Sequence, residues 1–282
     1  MGRLNDILFV INQNKAGARE LADQLGRLAE SMGVRHEITS DFPMDESLVV
    51  GKDLCVVVGG DGTLLGVTEA VSGLKVPVMG VNLGRLGFMA HFLPNEVQDH
   101  FVTILQGNLN WRDLKVLACE SEGNGSALAL NDIVIKARSS HLIRLEVHCE
   151  EEHMNTYHAD GVIFATPTGS TAYNLSAGGP IVHPSAAVIL TTPINPHTLS
   201  NRAIVLDDSH KLTVHLLGDP KDVQISADGR EIFNNVTNFP LQIYASQDRR
   251  FRLVQPDGYS HYYILRNKLR WTGDAVFPIS HP

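Results

Sequence analysis

The residues best placed to do chemistry sit where a buried apolar run, Leu54–Val58, breaks into Gly59-Gly60-Asp61-Gly62-Thr63. Glycine lets the backbone take positive φ and approach a ligand closely, and the N–H groups of a turn that opens a helix attract an anion, so the pattern favours phosphate. Asp61 is the odd member. A carboxylate beside a phosphate is unfavourable unless it takes a proton from a substrate hydroxyl or faces a divalent cation. The plainer alternative is that Asp61 caps the following helix and the glycines only form a tight turn. Two fingerprints are excluded: G-x-x-x-x-G-K-[ST] is absent, and Gly60-x-Gly62 is followed three positions later by Leu65, not glycine.

A second stretch, from Asp160-Gly161 to Gly178-Gly179-Pro180, crowds hydroxyls at one end. Strand Val162–Ala165 should turn at Pro167-Thr168-Gly169 and lead into a short helix near Ser170, with Thr168, Ser170 and Thr171 around its N-terminus. Tyr173 adds a flat apolar face with one hydroxyl, suited to a base or a nicotinamide ring. A purely structural capped turn is the alternative. Third, Asn131-Asp132 interrupts the β run Ala127–Ile135, where polar groups cost stability unless they find partners. An amide beside a carboxylate suits vicinal ribose hydroxyls, and a simple β-bulge explains the pair equally well. His148 and His153 flank Glu150–Glu152 without metal-ligand spacing, and an exposed edge hairpin accounts for them. Ser170 and Ser176 lie in no G-x-S-x-G elbow.

These segments need elements to position them. The chain has 282 residues, enough for two domains, and its 43% hydrophobic and 19% charged content is that of a globular protein. Ile7–Ile11 reads as a strand, Ala18–Met32 as an amphipathic helix with Leu21, Leu25, Leu28 and Met32 on one stripe, and Val34–Ile38 as a second strand. Strand Leu54–Val58, helix Thr63–Val71, strand Val76–Val81 and helix Asn95–Leu105 follow, which predicts an open, mostly parallel α/β sheet. After Gly107-Asn108 short alternating strands take over, predicting a β-rich, sandwich-like second domain over 108–261 after an α/β domain over 1–107. Its expected strands include Leu114–Glu120, Ala127–Ile135, Leu142–Cys149, Leu212–Leu217, Leu241–Ala245 and Phe251–Val254, with Asp228-Gly229 a type I′ turn. Tyr262–Trp271 looks helical and is expected to return to the first domain.

Acidic side chains number 31 against 23 basic, a net charge of −8 that disfavours a nucleic-acid partner. The longest apolar runs fall far short of the roughly 18 residues of a membrane span, and the N-terminus lacks a secretory pattern, so a cytoplasmic location is expected. Cys55, Cys119 and Cys149 lack C-x-x-C spacing and read as small buried hydrophobes.

Together, Gly59-Gly60-Asp61-Gly62, Asn82-Leu83-Gly84-Arg85-Leu86-Gly87-Phe88, Leu130-Asn131-Asp132, Asp160-Gly161, Thr166-Pro167-Thr168-Gly169-Ser170-Thr171-Ala172-Tyr173, Gly178-Gly179-Pro180 and Pro196-His197-Thr198-Leu199-Ser200-Asn201-Arg202 resemble the NAD kinases in order and spacing. The glycine–aspartate turn is shared with diacylglycerol, sphingosine and 6-phosphofructokinase-type kinases; the Thr-Pro-Thr-Gly-Ser-Thr-Ala-Tyr segment is the specific part. The resemblance implies an active site between two domains, with a phosphoryl group moving from ATP, or inorganic polyphosphate, to the adenosine ribose 2′-hydroxyl of NAD with a divalent cation, Mg or Mn. It implies Asp61 as proton acceptor and Gly59, Gly60 and Thr63 at the transferred phosphate. It implies Gly62, Asn131, Asp132, His141, His158, Asp160, Thr171, Ala172, Tyr173, Asn174, Ser176 and Arg230 around NAD, and a homo-oligomer, dimer or tetramer. Three positions depart from the family pattern: Asp132 stands for the usual Glu, His158 for Arg or Lys, and Arg230 for Gln. A lipid kinase would need an apolar acceptor pocket, which Thr168, Ser170, Thr171 and Asn174 argue against; a non-catalytic NAD(P)-binding regulator would not need Asp61.

Overall fold

The computed structural model describes residues 2–84, 87–233 and 238–271, arranged in two compact units. One unit holds the chain up to Gly66, Val76–Arg112 and the chain from Leu253; the other holds Val67–Lys75 and Asp113–Arg252. In chain order the elements are β1 (Asp6–Ile11), α1 (Ala18–Ser31), β2 (Arg35–Thr39), β3 (Leu54–Gly59), α2 (Asp61–Leu74), β4 (Val78–Asn82), α3 (Val97–Leu105) and β5 (Asn110–Leu114). Then come β6 (Leu117–Ser121), β7 (Gly125–Ala129), β8 (Asp132–Ala137), β9 (Ile143–Cys149), β10 (Glu152–Ala159), β11 (Gly161–Ala165) and α4 (Tyr173–Ser176). The remainder are β12 (Val188–Ile194), β13 (Ile204–Asp207), β14 (Lys211–Leu216), β15 (Val223–Ala227), β16 (Arg230–Ile232), β17 (Leu241–Ala245), β18 (Phe251–Gln255) and α5 (His261–Leu269).

The first unit is built on a sheet of order β2-β1-β3-β4-β18-β5. β1 pairs in parallel with β2 and β3, and β3 with β4. These inner strands are apolar throughout because a parallel sheet is covered on both faces; Ile7–Ile11 and Leu54–Val58 are buried accordingly. α1 buries Ala18, Leu21, Ala22, Leu25 and Ala29 against that sheet; of the expected stripe Leu21 and Leu25 lie in the core, and Leu28 and Met32 are partly buried against it. α5 starts where the Ser260 side chain accepts from Tyr263 N–H. Of the C-terminal segment expected to pack back, 262–282, the last eleven residues, 272–282, lie outside the described residues.

The second unit stacks two antiparallel sheets, of order β10-β9-β14-β17-β6-β7 and β13-β12-β11-β8-β15-β16. Its core interleaves Leu117, Leu145, Val147, Val214 and Ile243 from one sheet with Ile133, Ile135, Val162, Phe164 and Ile225 from the other. Alternate residues Val134, Ile163, Ala165 and Leu190 join a smaller cluster on the far face, so β11 is buried on both sides. The Asp228-Gly229 turn has φ of 49° and 77° with Ala227 facing Arg230, the two left-handed residues that a type I′ hairpin requires.

Two expectations are corrected. Ala127–Ile135 is not one strand: β7 ends in one sheet and β8 begins in the other, with Leu130-Asn131 as the crossing. Phe251–Val254 does not join the sandwich, because β18 pairs in parallel with β4, Leu253 opposite Val78. An apolar run reads the same in either sheet, and only packing selects its partner. β10 and β12 go unmarked by the strand reading. Among the described residues no helix is long and apolar enough to cross a membrane. All three cysteines are free, and burial pushes the Cys55 and Cys119 thiols up to about 12.

β11 runs so close to β8 that a Cβ on Gly161 would lie 2.5 Å from the Ile135 carbonyl oxygen and 2.9 Å from Lys136 Cα. Gly161→Ala should therefore cost about 1–3 kcal/mol of stability, the usual range for overpacking, read as a lower urea midpoint.

Candidate active site

In the first unit, Asp61 opens α2 but does not cap it; the Gly60 carbonyl takes the Thr63 and Leu64 N–H groups instead. The Asp61 carboxylate turns to the loop after β4. Oδ2 accepts from Phe88 N–H at 2.8 Å, and Oδ1 from Met89 and Ala90 N–H at 3.1 and 3.0 Å. The turn is closed by Gly87 N–H donating to the Ala90 carbonyl. Gly87 must be glycine: a Cβ there would collide with Asp61 Oδ1 and stand 2.9 Å from Cγ. Sequence reasoning missed this clamp, although Gly87 lies in a motif that it had marked; Arg85 and Leu86 of that motif lie outside the described residues.

The glycines do not supply the left-handed backbone expected of them. None of Gly59, Gly60 and Gly62 has positive φ. Gly59 ends β3 with Thr63 packed where its side chain would be, Thr63 Cβ lying 2.8 Å from the position of a Cβ. Gly60 and Gly62 face open space. Gly60, Gly62 and Thr63 line a cavity of about 490 Å³ together with Asn12, Lys15 and Phe42. Thr63 Oγ1 accepts from Asn12 Nδ2 at 3.4 Å. The α2 N-terminus and the Lys15 ammonium supply the fields that an anion needs at such a place.

In the second unit a cavity of about 350 Å³ is lined by Asn131, Asp132, Ala172, Tyr173, Ser226 and Asp228, among others. The Leu130-Asn131 crossing that opens it is held by Asp228. Oδ2 accepts from Leu130 N–H at 2.8 Å and Oδ1 from Asn131 and Asp132 N–H at 2.7 and 3.2 Å. Burial, and then the nearby Asp228 charge, push the Asp132 carboxyl up to about 7. Burial raises Asp228 to about 6, while its three amide donors and Arg230 pull the other way. Raised toward neutrality, the Asp132 carboxyl can donate to a ligand oxygen in its protonated form and accept in its ionised form. Asp228 had been marked only as a turn residue.

The hydroxyl-rich segment forms a 3₁₀ turn, Thr168–Thr171, and the single-turn α4, rather than one helix from Ser170 to Gly178. Thr166 Oγ1 donates to the Leu130 carbonyl and accepts from Gly169 N–H, which ties this turn to the crossing. Tyr173 is exposed at the cavity rim and Ala172 lies beside it. Asn174, expected at the dinucleotide, is fully buried; its amide donates to the Ser170 and Pro180 carbonyls, and its Oδ1 accepts from Thr192. Thr171 is half-buried and Ser176 exposed. Asp160, between β10 and β11, accepts from Asn195 Nδ2 at 2.9 Å. His141 and His158 do not line the cavity of Asp132; they line a smaller one of about 140 Å³ with Arg144, Asp219 and Asp222. Arg230 opens β16 and acts on Asp228. His148 bonds Glu146 at 2.7 Å, and among the described residues no cluster of three or more His, Cys, Asp or Glu is arranged to hold a metal ion.

Comparisons place this geometry among known proteins. Residues 11–109 match the ATP-NAD kinase N-terminal domain family and residues 130–255 the ATP-NAD kinase C-terminal domain family. The chain is 39% identical over 225 residues to an NAD kinase of Ectopseudomonas mendocina, covering 78% of this chain and 76% of that one. It is 37% identical over 249 residues to an NAD kinase of Geobacter sulfurreducens, covering 86% of each. Its fold is similar to that of a yeast NADH kinase complexed with NADH, with TM-score 0.85, 26% identity and coverage of 100% and 91%. An NAD kinase from Archaeoglobus fulgidus in complex with ATP shares the fold, with TM-score 0.78, 23% identity and coverage of 95% and 100%.

The buried acid pair sets a pH dependence. Because Asp132 is raised from 3.8 to about 7, the folded state binds more protons than the unfolded one between those values, and stability falls as pH rises through that window. Urea unfolding between pH 4 and 7 should show that decline, and Asp132→Asn should flatten it; an unchanged slope would contradict the coupling.

Proposed function

The chain belongs to the NAD kinase family, and from that premise we propose how its own residues carry the transfer of a phosphoryl group from ATP or polyphosphate to the 2′-hydroxyl of the adenosine ribose of NAD, yielding NADP. The observation that carries the reading is the Asp61 clamp. A carboxylate offers about four acceptor positions. Two bonds to Oδ1 and one to Oδ2 leave one of them on Oδ2. Held by three amides, Asp61 takes the proton of the 2′-hydroxyl as that oxygen bonds to the terminal phosphorus of the donor, whose bond to the bridging oxygen breaks and releases ADP or a polyphosphate one unit shorter. Phosphoryl transfer asks little covalent work of a protein, so positioning and charge supply most of the acceleration.

Gly60 and Thr63, backed by Gly59 and the Lys15 cation, receive the donor phosphates beside the α2 N-terminus, and Gly62 lies at the same rim. Asn131 and Asp132 hold ribose hydroxyls of NAD, with Tyr173 and Ala172 against a ring. Asp160, Thr171, Ser176, His141, His158 and Arg230 are assigned to the dinucleotide on the family resemblance alone; Arg230 also tempers the Asp228 charge. The divalent cation, Mg or Mn, finds no protein-only cage among the described residues. Magnesium commonly keeps its waters and is carried on substrate phosphates, which accords with that donor set; it would neutralise phosphate charge when bound.

Further parts of the proposal are a functional boundary near Gly107-Asn108, with 262–282 returning to the N-terminal part, a homo-oligomer of two or four chains, and a cytoplasmic location. The break between compact units at Arg112 supports the first, and the family premise supports the others.

Asp61→Asn should keep the fold and most of the NAD affinity while lowering kcat by about two to four orders of magnitude, the range of general-base contributions. NADP formation from NAD with ATP, and separately with polyphosphate, is the assay, and near-normal turnover of the variant would remove Asp61 from the role.

A further inference from the structure

His91 has no part in the reading above, yet it lies one residue beyond the amides that hold Asp61. Its ring is 6% exposed, and burial holds it down to about 4, so it is neutral at working pH and carries a single N–H. Nε2 stands 3.0 Å from the Phe88 carbonyl oxygen. A carbonyl oxygen can only accept; the Val254 carbonyl also bears on the ring, but Nδ1 has no partner in hydrogen-bond geometry, so the single proton is assigned to Nε2, which donates to Phe88.

The Phe88 C=O and the Met89 N–H belong to one peptide group, which is planar and points its two polar ends in opposite directions. On one side that plane is gripped by His91, on the other by Asp61 Oδ1 through Met89 N–H. We propose that His91 is a positioning residue for Asp61, aiming the amides of Phe88, Met89 and Ala90 at the carboxylate by anchoring the peptide plane between the first two. A hydrogen bond on the carbonyl also polarises the N–H at its far end, strengthening the grip.

The ring itself is braced. It packs against Tyr259 with centroids 4.5 Å apart, and the Arg112 guanidinium covers the Tyr259 ring at 5.6 Å. Lys268 Nζ of α5 lies over the Phe88 ring at 5.8 Å. The segment after β18 therefore bears on the clamp from two places, at Tyr259 and at Lys268. On the other side, the missing side chain of Gly87 is what gives the Asp61 carboxylate its place.

The inference rests on Asp61 as proton acceptor, and a double-mutant cycle separates the two. His91→Phe keeps a ring against Tyr259 and removes the donor; His91→Gln restores an N–H donor to the Phe88 carbonyl. In the native background His91→Phe should lower kcat about tenfold or more, with KM for NAD and for ATP changed less than about twofold, and His91→Gln should recover most of the loss. In the Asp61→Asn background His91→Phe should cost nothing further, within about twofold, because its effect passes through the carboxylate. Should the Phe variant not fold, His91→Met fills the space without a donor and takes its place. Equal losses in both backgrounds, a Gln variant no better than Phe, or native kcat in the donor-less variant would overturn the proposal. Failure of the Asp61 reading shows differently, as high turnover of Asp61→Asn alone.

Discussion

Three consecutive backbone N–H groups that leave a strand and point at one place need an acceptor able to take three bonds at once. Only a carboxylate among side chains has enough lone pairs in so small a space. Each unit answers with one aspartate. Asp61 takes Phe88 on Oδ2 and Met89 and Ala90 on Oδ1; Asp228 takes Leu130 on Oδ2 and Asn131 and Asp132 on Oδ1. The order along the chain and the division between oxygens are the same. Unmet, such part-buried donors would cost up to about 1–3 kcal/mol each, so each acid stabilises the turn that it closes.

The two clamps then diverge in chemistry. Around Asp61 the amides fix a carboxylate whose remaining lone pair is free for an alcohol, beside a cavity with a helix N-terminus and a lysine for phosphate. Around Asp228 the clamp turns the chain from one sheet to the other and leaves a second acid, Asp132, under the first one's field. The same clamp that holds the proposed reagent in one unit holds a scaffold and a source of electrostatic pressure in the other. Asp132 lies among the buried groups of the crossing, 5% exposed, and that burial is the larger cause of its raised carboxyl.

Much of this architecture is legible in local pattern. The Leu21–Leu25 stripe of α1, the unbroken apolar runs of β1 and β3, and the Asp228-Gly229 turn each follow from spacing or from residue type, since one helix face or one hairpin decides them. Asp61 stands out because a lone acid among glycines is chemically odd. The reason attached to those glycines was wrong: steric room for Thr63, not left-handed backbone, accounts for Gly59. Asn131-Asp132 stands out as polar inside an apolar run, but its meaning changes once β7 and β8 fall in different sheets. Asn174, in a segment rich in hydroxyls, gives no sign in sequence that its side chain ties Ser170 to Thr192.

The sequence alone determined where the helices and most strands form, that a glycine turn opening a helix carries an acid, and the family to which these motifs belong, because all of these depend on residues near one another in the chain. Tertiary structure decided who holds those acids and what they press upon. Asp61 meets amides 27 to 29 residues away, and Asp228 meets amides 96 to 98 residues away. Backbone N–H groups are alike at every position, so no residue type announces which three will converge; only the packing of the sheets brings them to one carboxylate.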